Sequence, residues 1–160
     1  MFVAKHILVP VDTDPSADAQ LADLVVDAAG DLASFFKARV TLVHVAVPIV
    51  VPVLDASDKQ RHKLLLDATA SRNDVAERSL VALEQRLRAG GVTAEHTTID
   101  GANNVADAVI ELVAAKGVDL ITLATGGRTD AQTRILGNVA ERIAHLSPVP
   151  VLLIPARKDS

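Results

Sequence analysis

Val118-Asp119-Leu120-Ile121-Thr122-Leu123-Ala124-Thr125-Gly126-Gly127-Arg128 opens the stretch that decides the fold, and Gly137-Asn138 through Ile154-Pro155 closes it. A β-branched, apolar run that ends in a glycine turn reads as a buried strand stopping at a loop. Nine residues, Arg128 to Leu136, separate Gly127 from Gly137. Asn138 then opens an amphipathic helix that stops at Ser147-Pro148, and Val149-Pro150-Val151-Leu152-Leu153-Ile154 follows as the last strand. The first N–H groups of a helix have no partner within it. A glycine turn at a strand's carboxyl end followed by such a helix start is therefore a place where phosphates bind. The segment predicts a ligand class as well as a fold.

Outward from this segment the same alternation fills the chain. Ile7 to Val11 is a first strand, and Asp14-Pro15 gives a helix start with an acidic cap and proline at the first turn. Leu21, Leu24, Val25, Ala28, Leu32 and Phe35 recur at helical spacing and are expected to face the sheet. Val40 to Ala46 is the second strand, and residues 47–58, with two prolines, are a long connection. A helix covers Asn73 to Arg88, with a start as early as Lys59 left open. Ala76, Leu80, Leu83 and Leu87 form its apolar stripe, while Asp74–Arg78 and Glu84–Arg88 are expected as i,i+4 pairs on its wet side. Gly90-Gly91 ends it. Val92 to Ile99 alternates apolar with polar residues and reads as an edge strand. Asp100 to Asn104 is a turn and cap before a helix that carries Val105, Val109, Leu112 and Val113 and ends near Gly117.

This order predicts an α/β fold: one domain over residues 1–160, a parallel sheet with helices on both faces, and right-handed crossovers. Composition narrows the function. The 49% hydrophobic share and a mean hydropathy of +0.30 suit strands buried on both sides. Net charge is −4, from 20 acidic and 16 basic residues, so no basic field draws the chain to nucleic acid. Aromatics are 2% of the chain, all three of them Phe, which argues against platforms for stacking single-stranded bases. With no Cys there are no disulfides, thiolate metal sites or cysteine nucleophiles, as suits a reducing compartment. The start shows no signal-peptide pattern, and the longest apolar stretch, Val40 to Leu54, is too short and too broken to span a bilayer. A cytoplasmic location without a membrane partner is expected.

The glycine spacing, with His6-Ile7-Leu8-Val9-Pro10-Val11-Asp12, Val40 to Val45 and Pro148-Val149-Pro150-Val151-Leu152, resembles the universal stress protein family. Its nucleotide-binding members carry G-x2-G-x9-G-[S/T] at this place. Gly127 and Gly137 match with the correct gap, while Ala124 stands at the first glycine and Asn138 at the Ser or Thr. The resemblance implies a doubly wound five-stranded parallel sheet of order 3-2-1-4-5. Asp12-Thr13 and Ala124-Thr125-Gly126-Gly127 then end at the switch point between strands one and four, where ligands of such sheets sit. It further implies that Asp12 contacts an adenine, that backbone groups near Val45 meet the base, and that the last strand pairs across a two-fold axis in a homodimer.

Each candidate also has a plainer reading. Gly127 lets the backbone approach a phosphate, and Gly137, Asn138, Val139 and Ala140 would aim N–H groups at it; alternatively the glycines only satisfy turn geometry. Arg128 and Arg134 neutralise phosphate or are simply solvated. Asp12 is equally an Asx turn or cap. Asn138 holds a phosphate oxygen or caps its own helix. Ala124 adds a methyl where glycine would admit the ligand, and a need for φ > 0 there would cost on the order of 1 kcal/mol. Gly137→Val is expected to abolish binding, and Ala124→Gly to tighten it on the order of tenfold if ~1.4 kcal/mol of crowding is relieved.

Absent motifs exclude several chemistries. There is no P-loop and no Lys between Lys116 and Lys158, no G-x-S-x-G elbow, and no His-x-Gly-His after strand one. A receiver-like reading of Asp12, Asp14 and Asp100 lacks its lysine at the end of strand five. Histidines 6, 44, 62, 96 and 145 have no metal-ligand spacing, so no metal-ligating set is expected. The expected function is a cytoplasmic stress or regulatory protein that binds ATP or a related adenine nucleotide, with Mg as its companion, and has no efficient catalysis. Slow ATP hydrolysis is compatible with this. The alternative is a nucleotide-free member acting through homodimerisation and protein contacts. An enzyme of the wider adenine-nucleotide α/β group stands third.

Overall fold

The computed structural model describes residues 1–13, 19–48, 59–125 and 138–155. Its elements are β1 (His6–Pro10), α1 (Ala19–Phe36), β2 (Arg39–Ala46), α2 (Lys59–Ala89), β3 (Thr93–Asp100), α3 (Val105–Lys116), β4 (Leu120–Thr125), α4 (Asn138–Leu146) and β5 (Val151–Pro155). The five strands are all parallel, in the order β3-β2-β1-β4-β5. This is the expected doubly wound sheet. Strand bounds differ from the sequence reading by one or two residues.

Successive residues of a strand point to opposite faces, so β1 divides the core in two. Ile7 and Val9 join α1 (Val26, Ala29, Ala33) and α2 (Leu80, Leu87) on one side. Leu8 joins Val43, Val45, Ile121 and Leu123 with α3 (Val109, Val113) and α4 (Ala140, Ile143) on the other. Helices therefore cover both faces. β1, flanked by two strands and two helical layers, is the most enclosed element.

α1 departs from its predicted face. Val26, Ala29 and Ala33 are buried with Leu21 and Val25, while Leu24, Ala28 and Leu32 are half-buried and Phe35 is 80% exposed. The inward side is the small-residue side, because α1 lies close to α2. A Cβ built on Gly30 would stand 3.0 Å from Cδ2 of Leu87. α1 ends at Lys37, which holds φ 57 where glycine is usual, and Ala38 N–H donates to the Ala33 carbonyl at 2.8 Å.

α2 takes its longer form, with 31 residues. Ala76, Leu80 and Leu87 are buried and Leu83 is half-buried, as the stripe predicts. Of the two expected pairs, Glu84–Arg88 forms at 2.6 Å, and Asp74–Arg78 is not among the ion pairs of the described residues. Glu84 is not on a wet side, because His96 of β3 covers it. At the helix end, Gly90 and Val92 N–H groups donate to the Leu87 carbonyl, and Gly91 at φ 84 makes the turn. The Oδ1 of Asn104 caps α3 by accepting from Ala106 and Asp107 N–H at 2.9 and 3.3 Å, and Gly117 closes that helix at φ 63.

Candidate functional site

The switch point is built from the carboxyl ends of β1, β2 and β4. Val11 N–H donates to the Val43 carbonyl at 2.8 Å, so the β1 ladder continues one residue past Pro10. Pro10 pairs with Val43 and Leu8 with Ile121. Extending that register sets Asp12 beside Val45 and Val11 beside Ala124. Neighbouring strands lie roughly 4.8 Å apart. Asp12, Val45 and Ala124 are therefore brought together across three adjacent strands. Asp12 is exposed, whereas the side chain of Val45 is buried in the α3–α4 core, leaving its backbone as the part nearest the site.

Ala124 belongs to β4, and its methyl packs against the α1–α2 core. Among the described non-glycine residues only Lys37 has a positive φ. The conformational cost considered for alanine at position 124 therefore does not arise, and the methyl has a packing role of its own. Asn138 and Val139 are the first two residues of α4, both exposed, followed by buried Ala140 and Ile143, which fix the helix on the sheet. A helix start anchored this way presents N–H groups and the positive end of its dipole. Gly127, Arg128, Arg134 and Gly137 lie outside the described residues.

One contact here was not foreseen. Nδ1 of His44 lies 3.1 Å from Oγ1 of Thr13, tying the exit of β1 to β2. The sequence did hold the signal, since Thr13 follows Asp12 and His44 precedes Val45, and parallel pairing makes those positions neighbours. A groove of about 540 Å³ on the described surface runs between α3 and α4. Asn138 and Val139 line it, but Asp12, Val45 and Ala124 do not, and its Arg142 is already paired to Asp107 at 3.1 Å. The strand ends, and not this open groove, carry the converging polar and backbone groups that a ligand site needs.

The sequence profile of the universal stress protein family matches residues 4–155. A universal stress protein from Lactobacillus plantarum has a similar structure at 18% identity, with a TM-score of 0.77, covering 96% of this chain and 99% of that one. A universal stress protein in complex with cAMP matches at 21% identity and a TM-score of 0.63, covering 96% and 98%. One from Archaeoglobus fulgidus in complex with dAMP matches at 18% identity and a TM-score of 0.67, covering 96% and 99%. No curated protein sequence matches the chain.

Proposed function

The chain belongs to the universal stress protein family, and from that premise we propose that it binds an adenine nucleotide at the β1–β4 switch point. In its fullest form the ligand is ATP with magnesium, and the role is regulatory, with no efficient catalysis. The observation that carries this reading is the convergence of Asp12, Val45 and Ala124 on three adjacent strand ends. The cAMP and dAMP complexes of similar proteins support the ligand class. Asp12 is suited to accept hydrogen bonds from the nucleoside, and the backbone near Val45 to meet the base edge. Gly127, Arg128, Gly137, Asn138 and Val139 are the residues to which we assign the phosphates, whose charge a magnesium ion would share. None of the groups we assign to the site is a lysine or a histidine base, so the reading assigns no catalytic residue. Slow hydrolysis is compatible with it.

Melting and calorimetric titration with ATP and magnesium test the reading. At a ligand concentration one hundred times the Kd, stabilisation should reach about 2.7 kcal/mol. Asp12→Ala should weaken binding about tenfold, as loss of a charge-assisted hydrogen bond does. No thermal shift at millimolar ATP would sink the proposal. It would favour the second reading, a nucleotide-free protein working through homodimerisation, which Ala124 and Asn138 support by departing from the family's motif. In both readings we assign the dimer to the last strand, Val149 to Ile154, and the location to the cytoplasm. No described helix is long and apolar enough to cross a membrane.

A further inference from the structure

At the opposite end of the sheet, where the strands begin, His6 is buried and both its ring nitrogens are engaged. Nδ1 lies 3.1 Å from the Lys116 carbonyl oxygen, and Nε2 lies 2.7 Å from Oγ1 of Thr41. Thr41 is fully buried on β2, and its hydroxyl also reaches Oε1 of Glu95 on β3 at 3.0 Å. That carboxylate oxygen accepts from Nζ of Lys116 at 3.0 Å. One cluster thus links β1, β2, β3 and the end of α3.

Counting protons shows that the imidazolium fills every contact of the cluster, whereas a neutral ring leaves one of them without a proton. A carbonyl only accepts, so Nδ1 carries a proton, whereas a hydroxyl has a single proton to give. With a neutral imidazole, Nε2 is a bare acceptor, the Thr41 proton points at it, and Glu95 keeps only Lys116. With an imidazolium, Nε2–H donates to Oγ1 and the Thr41 proton turns to Glu95. Each arrangement satisfies the ring, and they differ by one proton. The other neutral tautomer would set bare Nδ1 against the Lys116 oxygen beside the buried ring, whereas the Nδ1–H form moves the unfilled contact to Glu95, whose side chain is half exposed to water.

We propose that His6, Thr41 and Glu95 form a one-proton switch, in which protonation of the imidazole turns the Thr41 hydroxyl from His6 to Glu95. The protonated form closes an unbroken chain of hydrogen bonds from the end of α3 through β1 and β2 to β3. The charged groups around the ring pull both ways. Arg39 and Lys116 oppose a positive ring, and Glu95 favours it. Asp119 is occupied in accepting Lys5 and His6 N–H at 2.8 and 3.0 Å. Burial, first of all, holds the His6 pKa below its ordinary value, with the Lys116 carbonyl and Glu95 acting against it. Glu95 is held below the usual carboxylate range first of all by Lys116, so it stays ionised to receive the hydroxyl. The switch is therefore open at neutral pH and closes on acidification. Since the folded chain takes the proton less readily than the unfolded one, closing costs stability. That loss begins as pH falls through the unfolded value, about 6.5, and is complete below the folded value.

Imidazole nitrogen and carboxyl carbon shifts of the ¹³C,¹⁵N-labelled protein between pH 8 and pH 4 test this. The proposal expects the Nδ1–H tautomer at pH 8, a midpoint below about 6.5, and a Glu95 carboxyl shift at that same midpoint. Glu95→Gln, with its side chain half exposed to solvent, keeps the fold and should weaken proton binding about three- to tenfold. Thr41→Ser should preserve the coupling, and in Thr41→Val the Glu95→Gln effect should shrink. If Thr41→Val does not fold, the shared midpoint of His6 and Glu95 in the wild type still decides. An Nε2–H tautomer at pH 8, or a Glu95 carboxyl that ignores the His6 midpoint, would overturn the switch.

Discussion

β3 and β5 are the two edges of one sheet, finished in opposite ways. β3 is laced to α2: His96 places one ring nitrogen against Glu84 and the other 2.8 Å from Glu77. Arg88 reaches the Ala94 carbonyl at 3.0 Å and pairs with Glu84. Thr93 and Glu95 face water on the same strand. β5, Val151–Pro155, carries no polar side chain, and Leu152 is 38% exposed. A polar edge tied to its own helix resists an added strand, whereas an apolar edge with one neighbour invites cover. The contrast teaches that strand addition is discouraged on one side and left open on the other. This is the physical argument for assigning the proposed dimer to β5.

Four changes would break or sharpen this contrast. The largest effect is expected at Leu80, fully buried beneath the laced edge. Leu80→Ala should lower unfolding free energy by about 3 kcal/mol in urea titration, by lost burial and an unfilled cavity. A loss below about 1 kcal/mol would mean that α2 does not hold that side together. Next, Leu152→Lys places a charge on the open edge. If β5 pairs between copies, self-association should weaken on the order of a hundredfold in light scattering, about 2.7 kcal/mol. Unchanged dimer mass would remove β5 from the interface.

Gly91 turns the end of α2 into β3 at φ 84, with open space where a side chain would stand. Gly91→Ala should therefore cost about 1 kcal/mol through conformation alone, and a neutral result would show that the turn tolerates another geometry. The smallest effect concerns pH. Hydrogen bonds to Glu84 and then Glu77 raise the His96 pKa above its ordinary value, against burial. The stability this contributes is fully present below the unfolded value and is lost as pH rises through the raised folded one. The wild type should exceed His96→Gln by about 0.5–1 kcal/mol near pH 6, with the gap closing at alkaline pH. A gap that is constant with pH would mean that His96 acts by packing only. The two histidines thus pull in opposite directions on acidification, His6 against the fold and His96 for it.

Much of this architecture was legible because it rests on local patterns. The alternation along Val92 to Ile99 identified β3 as an edge, and Asn104, Gly91 and Gly117 marked turns that the backbone makes. The strand order came from family resemblance, since periodicity says nothing about which strands are neighbours. What was misread depends on contacts distant in sequence. Leucine and phenylalanine spacing put Phe35 inside, because nothing in α1 alone reveals that Gly30 and its neighbouring alanines let α2 approach. Glu84 looked solvated because its partner His96 lies on another element. At the candidate site, the strand order sets the ends of β1 and β4 side by side as expected, while the Thr13–His44 bond required the register. The conformation of Ala124 could be judged only from its φ.

The left-handed corner at Lys37 has a consequence for how the protein can change. An L-residue in that conformation gives up roughly 1–2 kcal/mol that glycine would keep, so a single substitution, Lys37→Gly, is open to the chain as an untaken gain. Part of that gain is offset by the greater freedom of glycine in the unfolded state, leaving on the order of 0.5–1 kcal/mol. Such a reserve could absorb a mildly harmful mutation elsewhere, for instance one acquired while reshaping the strand ends around a different ligand. The corner between α1 and β2 is, in that sense, latent capacity for divergence.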